Sequence, residues 1–265
     1  MKKRIYTLVG IVIFLLSCET VPITGRQQLN LVPSENILTM SFDSYQKFLT
    51  THPPITDTEE ARMVQRVGQR IQYAVERFFF EHNMRDRLRG YQWEFKLIPD
   101  KSINAWCMPG GKVAVYTSIL PVTKNETGLA VVLGHEISHA VAKHGDERMS
   151  QGLIAQMGGM LLSDALSSSP NKTAELFMAA YGIGAEVGVL LPYSRLQESE
   201  ADRLGLIFMA MAGYDPREAV DFWQRMARAK HGASPPEFLS THPADATRIR
   251  NIQKLIPEAK AYYKE

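Results

Sequence analysis

A stretch near the middle of the chain, TKNETGLAVVLGHEISHAVAKHG at 123–145, constrains the fold more than any other part of the sequence. Its apolar residues recur with the 3.6-residue period of a helix that buries one face. Thr123 followed by Glu126 has the pattern of a capping box, in which two side chains satisfy backbone N–H groups at the helix start. Gly145 is a typical residue at a helix end. The sequence therefore predicts one helix over 123–145.

Three residues in the middle of this helix, His135, Glu136 and His139, have the spacing found in zinc-dependent hydrolases. Residues four apart lie on one face of a helix, so both imidazoles can be directed at one ion. Glu136 is rotated about 100° from His135, which places its carboxylate where it can take a proton from water. The alternative is an amphipathic helix that carries two histidines by chance. The surrounding helix signals favour one zinc ion, with His135 and His139 as ligands and Glu136 as the catalytic base.

A third protein ligand is needed, because a catalytic zinc usually has three and leaves a fourth position for water. His144 follows His139 by five residues, which is about 140° round the helix. We expect His144 to point away from the metal and to interact with the C-terminal end of the helix dipole. The third ligand should then come from another element.

Three carboxylates on a later helix are candidates for this ligand. A capping box of Ser194 and Gln197 opens that helix. Glu198 and Asp202 share one face of it, whereas Glu200 is about 160° away. The pair offers one ligand and one acceptor for the N–H group of a ligating imidazole, and spacing alone does not order the two. A solvated acidic face is the alternative.

A small sheet is predicted between residues 91 and 120. The segment 91–98 alternates apolar and polar residues as a half-buried strand does, and an extended segment interrupted by Pro109-Gly110-Gly111 follows it. Proline cannot donate to a strand ladder, so this second segment is predicted to be a sheet edge. Such an edge can bind an extended substrate as one more strand, or it can be purely structural. The predicted substrate-binding residues are Asn104, Pro109, Gly110, Gly111, Lys112 and Val113.

The N-terminus has the pattern of an export signal. A basic n-region precedes twelve apolar residues at 5–16, which are too few for a helix that spans a bilayer, where about 20 are needed. The sequence Leu-Leu-Ser-Cys resembles a bacterial lipoprotein signal, with cleavage before Cys18 and lipid on its thiol; a plain signal peptide is the alternative. Glu19 favours the outer membrane, facing the periplasm. The predicted divisions are a signal peptide at 1–17, a tether at 18–33 and a zinc metallopeptidase domain at 34–265.

The net charge bears on whether the chain binds nucleic acid, and the cysteine content bears on whether it forms a disulfide. The net charge of +2 becomes −1 when the basic n-region is removed, so there is no electrostatic case for binding nucleic acid. Cys18 and Cys107 are the two cysteines. A lipidated Cys18 leaves Cys107 as a free, buried thiol, whereas an unmodified Cys18 permits a disulfide between them.

Several motifs together resemble the zinc metallopeptidase family that includes the CAAX prenyl protease, HtpX and the Oma-type mitochondrial protease. They are HEISH at 135–139, ESEAD at 198–202 with the preceding LPYSR, NAWCMPGG at 104–111 and STHP at 240–243. The resemblance extends to the N-terminal segment TVPITGRQQLNLVP, which is typical of small secreted lipoprotein members. It implies a mainly helical α+β fold of the zincin (gluzincin) type, with a small mixed sheet lining the cleft. It also implies Glu198 as the third zinc ligand and Asp202 as its support.

The same resemblance assigns a role to His242, in the His-Pro motif. Relatives place this histidine close to zinc, where it either stabilises the oxyanion of the transition state or occupies the open coordination position. We expect no membrane helices like those of the prenyl protease and HtpX, and no helical repeats after the peptidase domain. Prenylated substrates and a partner bound through repeats are therefore not expected.

The leading hypothesis is a lipid-anchored zinc endopeptidase that cleaves unfolded or misassembled proteins of the bacterial envelope. The outer-membrane assembly machinery is a further expected partner. The alternative is a zinc-stabilised holdase or assembly factor that binds extended segments with little or no cleavage. The helices predicted at 150–191 either pack permanently over the cleft or form a mobile lid.

Overall fold

The computed structural model describes residues 18–157, 170–181, 194–229 and 236–264. None of the helices in these ranges is both long and apolar enough to cross a bilayer. The predicted signal peptide lies outside these residues, as do the Leu-Pro-Tyr part of the LPYSR motif and much of the predicted lid.

The secondary structure is mainly helical, with two small sheets. The strands are β1 Cys18–Thr20, β2 Gln27–Leu29, β3 Glu94–Ile98, β4 Ala105–Met108 and β5 Lys112–Tyr116. The α-helices are α1 Ser34–Thr51, α2 Glu59–Glu81, α3 Leu120–Thr123, α4 Glu126–Val141, α5 His144–Met157, α6 Pro170–Ala180, α7 Arg195–Met211, α8 Glu218–Ala229, α9 Phe238–Thr241 and α10 Ala246–Lys260. Short 3₁₀ turns cover Arg85–Leu88 and Thr117–Ile119. The predicted α+β fold with a small mixed sheet is confirmed.

Helix α4, which carries the HEISH motif, is the centre of the fold. Every residue from Gly128 to Val141 is buried, because α2, α7, α8 and strand β4 pack around it. A helix enclosed in this way is apolar on all faces, and from Gly128 to Val141 α4 is apolar except at His135, Glu136, Ser138 and His139. The motif side chains are therefore held in the interior, where water is largely excluded.

The ends of this helix differ from the predicted ones. Asn125 is the N-cap and accepts a hydrogen bond from Gly128 N at 2.9 Å, whereas the Thr123 hydroxyl donates to Leu120 O inside the separate turn α3. The capping box of Thr123 and Glu126 was therefore wrong. The helix also ends earlier than Gly145, because Lys143 adopts a left-handed conformation (φ 58°) that no helix continues through.

The larger sheet has strand order β3-β5-β4, with β3 and β5 parallel and β5 and β4 antiparallel. This order corrects the predicted substrate strand. Lys112 and Val113 lie on the central strand β5, whose backbone pairs with a strand on each side, so they present no free edge. Within the described residues, β4 pairs only with β5, and it packs against α4. The edge strand of this sheet that packs against helix α4 is therefore β4, Ala105–Met108.

The segment predicted as a tether is folded against the domain. Strands β1 and β2 form a two-stranded antiparallel ribbon in which Cys18 pairs with Leu29. Between the strands, Val21 is 1% exposed. The side chain of Gln28, also buried, donates to Ala142 O at the end of α4. We call residues 18–29 the N-terminal ribbon.

Candidate metal centre

A pair of glycines sets the distance between α4 and α7. A Cβ atom on Gly134 would lie 2.8 Å from Gly205 O, and one on Gly205 would lie 2.9 Å from both Gly134 C and His135 N. The two backbones therefore touch at this point. The contact brings the HEISH face of α4 to the ESEAD face of α7, and the capping box of Ser194 and Gln197 that opens α7 is confirmed.

Four buried residues converge beside this contact: His135, His139, Glu198 and His242. One possible ligand atom from each lies within 4.8 Å of all the others. His135 Nε2 is 3.1 Å from His139 Nε2, which is 3.2 Å from Glu198 Oε1. His242 Nδ1 lies 2.8 Å from that same carboxylate oxygen. Two imidazole nitrogens and a carboxylate oxygen form a donor set that suits Zn²⁺.

Asp202 lies on the outer side of His135, with Oδ1 3.0 Å from His135 Nδ1. Burial disfavours its charged form, but Arg248 and His135 hold the pKa of Asp202 below its usual value. An ionised carboxylate only accepts hydrogen bonds, so His135 Nδ1–H is the donor and Nε2 carries the lone pair. That lone pair faces the Glu198 carboxylate, at 3.6 Å from Oε2. A cation therefore fits between the lone pair of His135 Nε2 and the Glu198 carboxylate.

The ionised state of Glu198 has a clear cause. Burial opposes it, but Arg248, His242 and His135 hold the pKa of Glu198 well below its usual value. Arg248 Nη1 approaches Glu198 Oε2 to 2.5 Å. The carboxylate is therefore charged at neutral pH, as a metal ligand must be.

Glu136 is in a different electrostatic environment. It is 3% exposed, and within the described part of the chain its Oε1 has no hydrogen-bond partner. Burial raises the pKa of Glu136 from an ordinary 4.5 to about 7. His242 of the donor cluster lies close by, with its Nε2 3.4 Å from Glu136 Oε1. A carboxyl group with this pKa can accept and return a proton near neutral pH.

This raised pKa predicts a pH-dependent cost in stability. A carboxyl group whose pKa is higher in the folded state stabilises the fold below its unfolded pKa, and the contribution is lost as pH rises through the folded pKa. In the metal-free protein, Glu136→Gln should change the free energy of unfolding little at pH 5. At pH 8 it should raise that free energy by roughly 3 kcal/mol relative to wild type. Urea unfolding of both chains in chelator at the two pH values measures the difference. An equal effect at both pH values would show that the carboxylate charge is not the cause.

Arg248 is a central residue of the site that sequence reasoning missed. Its guanidinium donates to both oxygens of Asp202, at 2.9 and 2.8 Å, and stacks 3.5 Å from the centroid of the Trp223 ring. Sequence gives little to distinguish it from Arg250, two residues later on the same helix. Arg250 is exposed and bonds to Thr247, whereas Arg248 faces the metal centre.

The predicted interaction of His144 with the end of the motif helix was wrong. His144 does not lie at the end of α4; it is the first residue of α5 and is fully buried. Its Nδ1 lies 2.9 Å from His139 Nδ1, and its Nε2 lies 3.1 Å from Glu200 Oε2. The His144 side chain lies outside the donor cluster, as predicted. It contacts His139, a member of that cluster, at the Nδ1 atom, which faces away from the other members.

The predicted substrate-binding residues lie in and around the β4–β5 hairpin. Pro109, Gly110 and Gly111 form its turn, with φ of 81° and 80° at the two glycines. Lys112 forms an ion pair with Glu94 at 2.7 Å. Asn104, 5% exposed, precedes β4 and accepts a hydrogen bond from Ala105 N.

Cys107 on β4 is a buried free thiol, as predicted. Burial and the nearby Glu136 raise the pKa of this thiol well above its usual value, which keeps it protonated and unreactive.

Comparison with known proteins agrees with this geometry. The mitochondrial metalloendopeptidase OMA1 of Saccharomyces cerevisiae is 36% identical over 185 residues, which are 67% of this chain and 51% of that protein. The Schizosaccharomyces pombe protein of the same name is 33% identical over 255 residues, 95% of this chain and 70% of that protein. The beta-barrel assembly-enhancing protease of Yersinia pestis is 30% identical over 64% of this chain and 36% of its own length.

This chain thus spans about half the length of the first of these relatives and about a third of the Yersinia protein. Residues 64–256 match the sequence profile of Peptidase family M48. The matched region includes all four members of the donor cluster as well as Glu136, Asp202 and Arg248. The chain belongs to the M48 family of metallopeptidases.

Proposed function

We propose that this protein is a zinc-dependent endopeptidase that binds one zinc ion through His135, His139 and Glu198 and uses Glu136 as its catalytic base. The convergence of these ligand atoms within 4.8 Å in a buried site, with a carboxyl group of pKa about 7 beside them, carries the proposal. Family membership supports the same activity.

The residues of the chain supply most of the chemistry. A bound zinc ion contributes Lewis acidity, which makes water more acidic and the scissile carbonyl more electrophilic. Glu136 removes the proton from water and then delivers it to the leaving amine, which its pKa allows in both directions. Asp202 keeps His135 Nε2 unprotonated for the ion. His242 lies beside both Glu136 and Glu198, where it would either donate to the oxyanion or bind the ion in place of water.

The edge of β4 supplies a route for substrate binding. Among the described residues, no strand pairs with β4 on the side away from β5, and we place an extended substrate there, where backbone pairing would give affinity with little sequence preference. All four residues of β4 are buried in the substrate-free chain. Unfolded segments, which expose such groups, are the proposed substrate class. A purely structural edge remains the competing interpretation.

The N-terminal sequence and the bacterial relatives support a location in the bacterial envelope. Lipid on Cys18 would anchor the protein to the outer membrane, facing the periplasm, where unfolded or misassembled envelope proteins are the available substrates. Two bacterial relatives are called beta-barrel assembly-enhancing proteases, one of them putatively, which supports a link to the outer-membrane assembly machinery. The OMA1 relatives are mitochondrial proteins by name, but the lipoprotein-type N-terminus favours the bacterial envelope.

A second candidate function is a zinc-stabilised holdase or assembly factor. The position of His242 favours it, because Nδ1 lies 2.8 Å from Glu198 Oε1 and 3.1 Å from His135 Nε2. A side chain so close to the ligands can fill the position that water needs. Such a protein would bind extended segments and cut them rarely.

Metal removal tests the proposed function. The purified full-length chain in detergent should contain one zinc ion per chain and should cleave casein, an unfolded protein. Treatment with 1,10-phenanthroline should remove the zinc and abolish cleavage, and added Zn²⁺ should restore both. Protein that is folded by circular dichroism but contains no zinc would refute the metal site.

Zinc without cleavage would leave two explanations, which His242→Ala separates. If His242 blocks the fourth coordination position, the substitution should produce cleavage in a chain that had none. If the chain is a holdase, casein should still bind and remain intact. Where wild type is active and the variant is slower, His242 acts in catalysis.

A further inference from the structure

The N-terminal ribbon contacts the ESEAD helix at the carboxylate of Glu200. Glu200 is 2% exposed, yet it lies outside the donor cluster. Thr24 Oγ1 donates to Glu200 Oε1 at 2.8 Å. Arg26 Nε and Nη2 donate to the two oxygens of Glu200, each at 3.0 Å. Both donors come from the TGR sequence of the ribbon, 176 and 174 residues away along the chain.

Arg26 also fixes a second carboxylate. Its Nη1 and Nη2 donate to Glu147 Oε1 and Oε2 at 2.8 and 2.9 Å, and Gln197 Nε2 donates to Glu147 Oε2 at 2.7 Å. A guanidinium that engages two carboxylates through a planar fork has little freedom to move. The ribbon, α5 and α7 are thereby joined at one point.

The contacts continue from Glu200 to the donor cluster. The Glu200 carboxylate can only accept hydrogen bonds, so His144 Nε2–H is the donor at 3.1 Å. In a neutral imidazole the other nitrogen is then an acceptor, and His144 Nδ1 accepts from His139 Nδ1–H at 2.9 Å. His139 is thus held as the Nδ1–H tautomer, with Nε2 unprotonated and directed at the donor cluster.

We infer that the N-terminal ribbon positions a metal ligand: Thr24 and Arg26 fix Glu200, Glu200 orients His144, and His144 fixes the tautomer and ring orientation of His139. The inference rests on the proposed function in taking His139 as a ligand. Arg26, Glu200 and His144 act as positioning residues, because they act through His139 and are not members of the donor cluster. This arrangement does for His139 what Asp202 does for His135.

A purely structural role for Arg26 makes a different prediction. If the ion pairs only attach the ribbon to the domain, their loss changes stability and leaves the tautomer of His139 and the zinc affinity unchanged. Glu19 offers a matched control, because its Oε1 accepts from Lys143 Nζ at 2.8 Å and so attaches the same ribbon without contacting Glu200.

The test compares wild type with Arg26→Ala, Arg26→Lys, His144→Ala and Glu19→Gln in the full-length chain. Zinc affinity is measured by competition with a chromophoric chelator, and the His139 tautomer in the metal-free protein by imidazole ¹⁵N shifts. Partners that orient ligating histidines typically contribute 10- to 100-fold to metal affinity. Arg26→Ala and His144→Ala should weaken zinc binding by about this factor and give mixed His139 tautomers. Arg26→Lys should fall between Arg26→Ala and wild type, and Glu19→Gln should match wild type.

Every result of this comparison either supports the role of the ribbon in positioning His139 or overturns it. If Arg26→Ala does not fold by circular dichroism, Arg26→Lys carries the comparison. Wild-type affinity and tautomer in the folded Arg26 variants, or in His144→Ala, would overturn the inference while the proposed function stands. If wild type itself binds no zinc, the proposed function fails, and the tautomer measurement still decides whether the ribbon controls His139.

Discussion

Glu136→Gln is expected to lower the rate of casein cleavage by about 10²- to 10⁴-fold and to leave the zinc content at the wild-type value. The amide has nearly the shape of the carboxylate, so packing around this buried position should persist. It cannot take a proton from water, however, so the chemical step loses its base. Glu136 is not a member of the donor cluster, so the metal should remain bound. Zinc analysis and cleavage kinetics on the same preparation measure both effects.

Glu126→Gln is the matched control for this experiment. Glu126 lies in the first turn of the same helix and forms a half-exposed ion pair with Arg66 at 2.5 Å. Such pairs contribute about 0–1 kcal/mol to stability, so this variant should cleave at the wild-type rate. Undiminished cleavage by Glu136→Gln would exclude Glu136 as the base. If neither wild type nor the variant cleaves casein and both bind it, the chain is either a holdase or an enzyme blocked by His242, and His242→Ala separates the two.

Gly205→Ala should disrupt the metal centre without altering any candidate ligand. The added methyl group would lie 2.9 Å from backbone atoms of Gly134 and His135, and backbone cannot rotate away as a side chain can. Overpacking costs about 1–3 kcal/mol in general, and we expect the upper end here because both partners are helix backbone. Alanine regains about 1 kcal/mol of helix propensity, which is too little to compensate. The helices should separate, and zinc content and stability should fall together.

Gly152→Ala tests whether the cause is the backbone contact. Gly152 is also in a helix, but its Cβ would approach Leu176 Cδ1 at 2.6 Å, the mobile end of a side chain. This variant should keep its zinc and change the free energy of unfolding by less than about 1 kcal/mol, since Leu176 can adopt another rotamer. Equal losses of zinc in Gly152→Ala and Gly205→Ala would argue against a special role for the glycine contact between α4 and α7.

Local signals in the sequence predicted much of the fold. The capping box of Ser194 and Gln197 and the helical period of α4 depend on neighbours within a few residues, and both are present. The errors occurred where two local signals competed. Asn125 caps α4 in place of Thr123, and the left-handed Lys143 ends it before Gly145. Strand order was not predictable, because the position of β5 between β3 and β4 depends on pairing across the whole sheet.

The parts of the site that sequence reasoning missed depend on distant partners. A helical wheel placed Glu200 away from the face shared by Glu198 and Asp202, and the structure agrees. It could not show that this opposite face meets Arg26, 174 residues earlier. Arg248 likewise acquires its role from Asp202, 46 residues before it. Such pairs have no signature in spacing, because only tertiary packing brings them together.

The donor cluster contains residues from three separate parts of the chain, α4, α7 and the residue after α9, and His242 follows His135 by 107 positions. Contacts of this sequence separation form late, after most of the loop-closure entropy has been overcome. A newly made chain therefore has no assembled centre while it is still extended, so the proposed peptidase activity would begin only after folding. Zinc content can accordingly serve as a count of the molecules that have completed folding.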